Sequence, residues 1–345
     1  MNVRICDCSL RDGSNAIGHA LTPKQVDQIA RRLDDAGIYA IEVGHGDGLA
    51  ASSIHYGRGA HPDDELIAAA AHAVQQASLA VSIQPGIATQ DDMRAAHDLG
   101  ATVFKIATHC TEADIGIQHL GLARTLGGRA CGGLMMTHLT EPPTLVENAR
   151  IMADAGAEVV YIADSAGALT MDGMRERISA VRQALDSHVA VAVHAHNNLS
   201  LAVANTVAAI EEGATVADAC LAGFGAGAGN CQLEALVAVL ERLGIETGVD
   251  LWKAQDAAED SVRPIMSQPP QVDRVTISLG YAGVYSSFLA HTQEAANRFN
   301  VDARDILVEL GRRKVVAGQE DVIIEVATAL AESRSEDNPQ AATLP

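Results

Sequence analysis

Ala155-Gly156-Ala157-Glu158-Val159-Val160-Tyr161-Ile162-Ala163-Asp164-Ser165 is the stretch from which the fold can be read. A glycine closes a helical run, an aliphatic run follows, and a polar pair ends it. Glycine supplies the left-handed C-cap that re-aims a chain leaving a helix. An uninterrupted apolar run suits a strand covered on both faces, as in parallel sheets.

The unit repeats. Helical runs also end near glycine, just ahead of a strand-like segment, at Ala36-Gly37, Leu99-Gly100 and Glu212-Gly213. Eight strand candidates result: Val3–Cys8, Tyr39–Val43, Leu79–Ile83, Thr102–Ile106, Ala130–Met135, Val159–Ala163, Val189–Val193 and Val216–Leu221. Thr22-Pro23-Lys24-Gln25 opens the first helix, with Thr at the N-cap, Pro at N1 and Gln at N3. Eight β/α units in about 260 residues predict an α/β fold, a closed (β/α)8 TIM barrel rather than an open sheet.

Beyond Leu243 the alternation stops, and Asp250 to Leu330 reads as helices punctuated by Pro264, Pro269 and Pro270. The expected division is a barrel over residues 1–262, a C-terminal helical domain over 263–331, and a disordered tail over 332–345.

Composition narrows the function classes. Hydrophobic residues make up 48% of the 345, enough for a large core, and aromatics only 3%, so small aliphatic side chains fill it. A formal net charge of −20 repels phosphate backbones and argues against nucleic acid as a partner. No apolar run reaches the roughly 18 residues of a membrane span, and Met1 to Cys8 enters a strand pattern at once rather than forming a signal peptide. A cytoplasmic location is expected. The six cysteines are scattered, and a lone Cys6-x-Cys8 lacks the second pair of a structural zinc site, so reduced, buried thiols are expected.

His194-Ala195-His196 ends the seventh strand. Strand residues two apart share a face, so both imidazoles point toward the mouth where barrel active sites form. Asp12 follows the first strand, and only strand eight separates strands one and seven in a closed barrel. One carboxylate and two imidazoles suit Mn, Co, Zn or Fe(II) with positions left open. The bland alternative is two hydrogen-bonded rim histidines and a turn-capping Asp12. Arg11 either stabilises a developing enolate oxygen or forms a salt bridge.

Gly223 to Asn230 follows the eighth strand, which is the wrong place for a dinucleotide fingerprint. A mobile flap, an anion-binding nest or a plain turn remains open for it. His45, Asp47 and His109 are mouth candidates, and Asp164-Ser165 is placed to meet a carboxylate or keto oxygen. Gly280 to Ser287, with Tyr281 and Tyr285, is either a gate or ordinary helix packing.

The chain resembles the 4-hydroxy-2-oxovalerate aldolases of the HMG-CoA-lyase-like barrel superfamily. The resemblance runs from about Cys6 to Ala329 through Ile41–Leu49 (IEVGHGDGL), Ala107–Asp114 (ATHCTEAD), His194–Asn205 (HAHNNLSLAVAN), Leu221–Asn230 (LAGFGAGAGN), Leu279–Phe288 (LGYAGVYSSF) and Val301–Lys314. It implies a carbon–carbon lyase joining pyruvate or 2-oxobutyrate enolate to an aldehyde. The implied metal is Mn2+, with Co2+, Mg2+ and Zn2+ as alternatives, on Asp12, His194 and His196. Arg11 then stabilises the enolate, while Ser165, Tyr285 and His194 meet substrate. An acylating aldehyde dehydrogenase is the implied partner, contacted through the helical domain, and an oligomer is expected.

Two positions depart from the family. Its first loop carries a histidine, the general base, where this chain has Asn15. A carboxamide does not accept that proton at useful pH, so the role passes to water, to His19 or elsewhere. Before Pro85-Gly86 the family has a leucine run, and here Ser82 and Gln84 imply a pocket for a larger or more polar aldehyde, as in a biosynthetic variant. Two other readings stand beside this one. The first is an acyl-CoA lyase or synthase of the same superfamily, disfavoured because the glycine loop lacks the lyases' cysteine. The second is a catalytically weak partner subunit of a dehydrogenase, disfavoured by the intact Asp-His-His set.

Overall fold

The computed structural model describes residues 2–316 and 318–337, the side chains of 335–337 excepted. Eight parallel strands close a barrel in chain order: β1 (Arg4–Leu10), β2 (Ala40–Val43), β3 (Ser78–Ile83), β4 (Ala101–His109), β5 (Arg129–Met135), β6 (Val159–Asp164), β7 (Ala190–Ala195) and β8 (Val216–Ala219). Closure comes from β1 pairing with both β2 and β8, with Cys6 opposite Ala40 on one side and Asp218 on the other. Strand β4 runs on to His109, three residues past the predicted Ile106, and β7 takes in His194.

Helices α1 (Pro23–Asp35), α2 (Asp63–Ala73), α3 (Gln90–Asp98), α4 (Ile117–Thr125), α5 (Pro142–Asp154), α6 (Met171–Ala184), α7 (Ala202–Glu211) and α8 (Leu233–Arg242) alternate with the strands. The expected capping box starts α1: Thr22 Oγ1 accepts from Gln25 N–H, and the Gln25 side chain accepts from Thr22 N–H. Val26, Ile29, Ala30 and Leu33 form its buried stripe, and each Ile or Leu so covered contributes roughly 1.5–3 kcal/mol. After α5, Gly156 takes φ 97°, which turns the chain into β6.

There are two main cores. The larger joins strands and outer helices and extends through Ala254, Ala257, Ala258 and Val262, so α9 (Leu251–Ala257) packs with the barrel. The second runs from Leu279 to Ala327 across α10 (Arg274–Ala282), α11 (Phe288–Phe299), α12 (Ala303–Arg312), α13 (Asp321–Asp337) and the turns between them. The expected tail from 332 needs correction, because α13 continues through Asp337. Ile323, Val326 and Ala327 dock its start, and the Ala, Glu and Arg residues that follow favour carrying the helix past its last apolar contact. Residues 338–345 lie outside those described.

Inside the barrel, Ala80, Val103, Cys131, Val159, Ala192 and Val216 form an apolar layer. Two residues further along the same strands stand Ser82, Lys105, Gly133, Tyr161, His194 and Asp218, all lining the cavity at the mouth. The two-residue repeat of a strand thus converts an apolar floor into a polar site in one step.

Candidate active site

Asp12 leaves β1 at the start of a tight helical turn, and its carboxylate sits in a complete set of partners. Oδ1 accepts the N–H of Ala226 at 3.0 Å, and Oδ2 lies 2.8 Å from Arg11 Nη1. The same Oδ2 faces His194 Nε2 at 3.6 Å and His196 Nε2 at 3.8 Å, and the two Nε2 atoms are 3.4 Å apart. Burial, the largest influence, pushes His196 down to about 4, so this imidazole is neutral at pH 7. Burial opposes ionisation of Asp12, yet Arg11, His196 and His194 hold its carboxyl well below the usual range. One carboxylate and two imidazoles, buried and converging, fit a divalent cation with open positions.

The remaining charges close a ring. Arg11 Nε donates to Glu42 Oε1 at 3.0 Å, Lys105 Nζ to Glu42 Oε2 at 2.9 Å and to Asp218 Oδ2 at 2.6 Å. Asp218 Oδ2 also lies 2.9 Å from His194 Nδ1, and His194 leads back to Asp12. Glu42, Lys105 and Asp218 are buried. Against the cost of burial, Asp218, Cys8 and Glu42 hold Lys105 protonated. Sequence reasoning did not single out these three. The signal was a lone charge in each apolar strand, Ile41-Glu42-Val43, Phe104-Lys105-Ile106 and Ala217-Asp218-Ala219; a buried charge requires a buried partner.

Family models agree with this layout. The HMGL-like model matches residues 2–260, and the DmpG-like communication domain matches 270–332. A 4-hydroxy-2-oxovalerate aldolase of Moorella thermoacetica is 52% identical over 333 residues, covering 96% of this chain and 98% of the relative. One from Brevibacillus brevis is 53% identical, covering 97% and 98%. The chain belongs to the 4-hydroxy-2-oxovalerate aldolase family.

The HMG-CoA lyase of Brucella melitensis shares the fold (TM-score 0.66, 20% identity, 77% of this chain and 99% of that one). So does the carboxyl transferase domain of Rhizobium etli pyruvate carboxylase (TM-score 0.81, 14% identity, 97% and 60%).

Within this aldolase-family chain, Arg11, Asp12, Ser82, Ser165, His194, His196 and Tyr285 all line one cavity. Ser165 Oγ accepts the N–H of Met136 at 3.0 Å, and among the described residues its hydroxyl has no acceptor. Burial, then Asp47 and Asp12, push the Tyr285 phenol far up, so it is a hydrogen-bond donor. Gln84 Nε2 donates to Asp47 O at 2.7 Å.

Asn15 and His19 stand elsewhere, in an outer cavity between the first loop, the glycine loop and the helical domain. Asn15 Nδ2 donates to Asp12 O at 3.2 Å. His19 stacks on His45 with ring centroids 3.7 Å apart, and burial, then His45, push it down to about 4.

Two expectations change, and two segments with open alternatives take the blander one. Asp164 does not face substrate, because its oxygens accept the N–H groups of Ala168 and Leu169. His45 has both ring nitrogens engaged within its own loop, with Asp47 N and Gly57 O. The glycine loop is neither flap nor open nest: its Ala226 and Ala228 N–H groups are spent on Asp12 Oδ1 and Asn198 Oδ1. The Gly280–Ser287 segment is pinned, with Ser286 Oγ donating to Ser165 O and Gly283 O bonded to His138 Nε2. All six cysteines are free and buried, as expected. Among the described residues no helix is long and apolar enough to cross a membrane.

Proposed function

We propose that this chain is a divalent-metal-dependent aldolase that forms and cleaves 4-hydroxy-2-oxo acids from pyruvate or 2-oxobutyrate and an aldehyde. The observation that carries the reading is the convergence of Asp12 Oδ2, His194 Nε2 and His196 Nε2 beside the Arg11 guanidinium in one cavity. A cation held there, Mn2+ in our reading, supplies Lewis-acid stabilisation of enolate charge. Arg11, held by Glu42 and Asp12, presents fixed positive charge to the same oxygen. Ser165 and Tyr285 donate hydrogen bonds that orient the substrate, which His194 also borders. Ser82 and Gln84 make the acceptor side polar, which favours an aldehyde bearing a hydroxyl or other hydrogen-bonding group.

The test is Mn2+-loaded protein with pyruvate in D2O, followed by proton NMR of the methyl group. Exchange that stops with EDTA and in Asp12→Ala supports the reading; absence of exchange with both pyruvate and 2-oxobutyrate removes it. We further propose that the helical domain, matched by the communication-domain model, docks an acylating aldehyde dehydrogenase and that the working form is an oligomer in the cytoplasm. Co-purification with such an enzyme, lost on deleting residues 263–345, checks the pairing.

A further inference from the structure

The cavity contains one carboxyl group to which the reaction above gives no task. Asp47 lies in the loop after β2 and is 6% exposed. Ser287 Oγ donates to its Oδ1 at 3.3 Å, while among the described residues Oδ2 has no hydrogen-bond partner. Its backbone is fixed from both sides, the carbonyl by Gln84 Nε2 and the N–H by His45 Nδ1. Asp47 lines the mouth cavity beside Arg11, Asp12 and Tyr285 and also the outer cavity that holds Asn15 and His19. It is the one described residue common to both linings.

Aldol cleavage needs a group that takes the proton of the C4 hydroxyl, and most groups in the cavity are committed. Asp12, His194 and His196 form the cation site. Glu42, Lys105 and Asp218 are tied to one another. Tyr285 keeps its proton, Asn15 is a carboxamide outside the cavity, and the His19 ring, stacked on His45, lines the outer cavity and not this one, where a ring nitrogen lies within 4.8 Å of the Asp47 carboxyl group. Lone serine hydroxyls are not bases near neutral pH.

Resting on the aldolase reading, we propose that Asp47 is the proton-transfer residue of the aldol step, in the place of the family's absent histidine. In cleavage, a carboxylate oxygen of Asp47 takes the C4 hydroxyl proton. The O–H electron pair becomes the second bond of the aldehyde carbonyl, the C3–C4 bond breaks, and its electron pair becomes the C2–C3 enolate. A solvent proton added at C3 then gives the 2-oxo acid. In condensation the Asp47 proton returns to the new C4 oxygen. Burial, the largest influence, pushes this carboxyl up from the usual carboxylate range, which suits proton exchange with a hydroxyl.

Asp47→Asn keeps the side chain's size and its contact with Ser287 but removes the proton acceptor. The Mn2+-loaded variant is expected to cleave 4-hydroxy-2-oxopentanoate at least about 100-fold more slowly than the parent protein. It should bind Mn2+ with parental affinity and retain pyruvate methyl exchange in D2O, a reaction that does not use the C4 oxygen. Asp47→Glu, which keeps a carboxyl group, should recover part of the cleavage. Cleavage by Asp47→Asn within about 3-fold of the parent overturns the assignment. Equal losses of exchange and cleavage also overturn it, since Asp47 would then be a structural support. A parent protein that neither exchanges nor cleaves overturns the aldolase reading itself, an outcome separable from the other two.

Discussion

The carboxylate of Asp218 receives the Nδ1–H of His194 across 2.9 Å, and this contact decides which nitrogen of the imidazole faces Asp12. With Nδ1 protonated, Nε2 keeps its lone pair for a cation. Asp218→Asn is therefore expected to weaken Mn2+ binding by about 10–100-fold. Calorimetric titration of the metal-free protein reads this directly; unchanged affinity would show that the imidazole holds its orientation without Asp218.

Lys105 holds two buried carboxylates, at 2.9 Å and 2.6 Å. Lys105→Met removes the cation that Glu42 and Asp218 share, leaving Arg11 and His194 as their ion-pair partners, and should destabilise the fold by about 3–5 kcal/mol. Lys105→Arg keeps the charge and should lose much less. Urea unfolding of both variants makes the comparison, and equal midpoints for Met and parent would refute the ring as a stability element.

Ser82 and Gln84 line the cavity, and in the proposed reading they make its acceptor side polar. Replacing both with leucine should reverse a preference for a 2-hydroxyaldehyde over propanal by roughly 10-fold or more in kcat/KM. Competition between the two aldehydes with pyruvate as donor measures it. An unaltered ratio would move the acceptor pocket to other residues.

Asp34, at the end of α1, accepts the N–H groups of Gln75, Gln76 and Ala77 at 2.9, 2.9 and 2.6 Å. Burial opposes its ionisation, but the three donors hold its pKa below the usual value. A depressed carboxyl stabilises the fold fully above its unfolded pKa of about 3.9, and that contribution disappears as pH falls through the folded value. Asp34→Asn should lower stability by about 1–3 kcal/mol at pH 7. The Tm gap to the parent protein should narrow below about pH 4. A gap independent of pH would contradict the charge-based account.

Much of the architecture is legible in the sequence because it rests on local physics. Thr22 and Gln25 cap α1, glycine such as Gly156 turns each helix into a strand, and a two-residue spacing puts His194 and His196 on one face. The support around them is less legible. Glu42, Lys105 and Asp218 lie on three strands, and only the barrel's register, such as Ser82 opposite Lys105, places their side chains at one depth. The glycine loop shows the same limit. Its residues favour exposed N–H groups, but the carboxylate that receives one of them, Asp12, is 214 positions away in the chain. The predicted start of the tail, at 332, falls too early for a related reason, since polarity alone does not say where a docked helix such as α13 stops.

Asn198 joins three parts of the molecule through one amide. Its Oδ1 accepts the Ala228 N–H of the glycine loop, and its Nδ2 donates to Ala166 O beyond β6 and to Ser286 Oγ of the helical domain. The loop so held is the one that steadies Asp12 through Ala226. Seating of the helical domain and geometry of the cation site therefore share a mechanical linkage: a force that lifts Ser286 off the barrel loosens the strut behind Asp12.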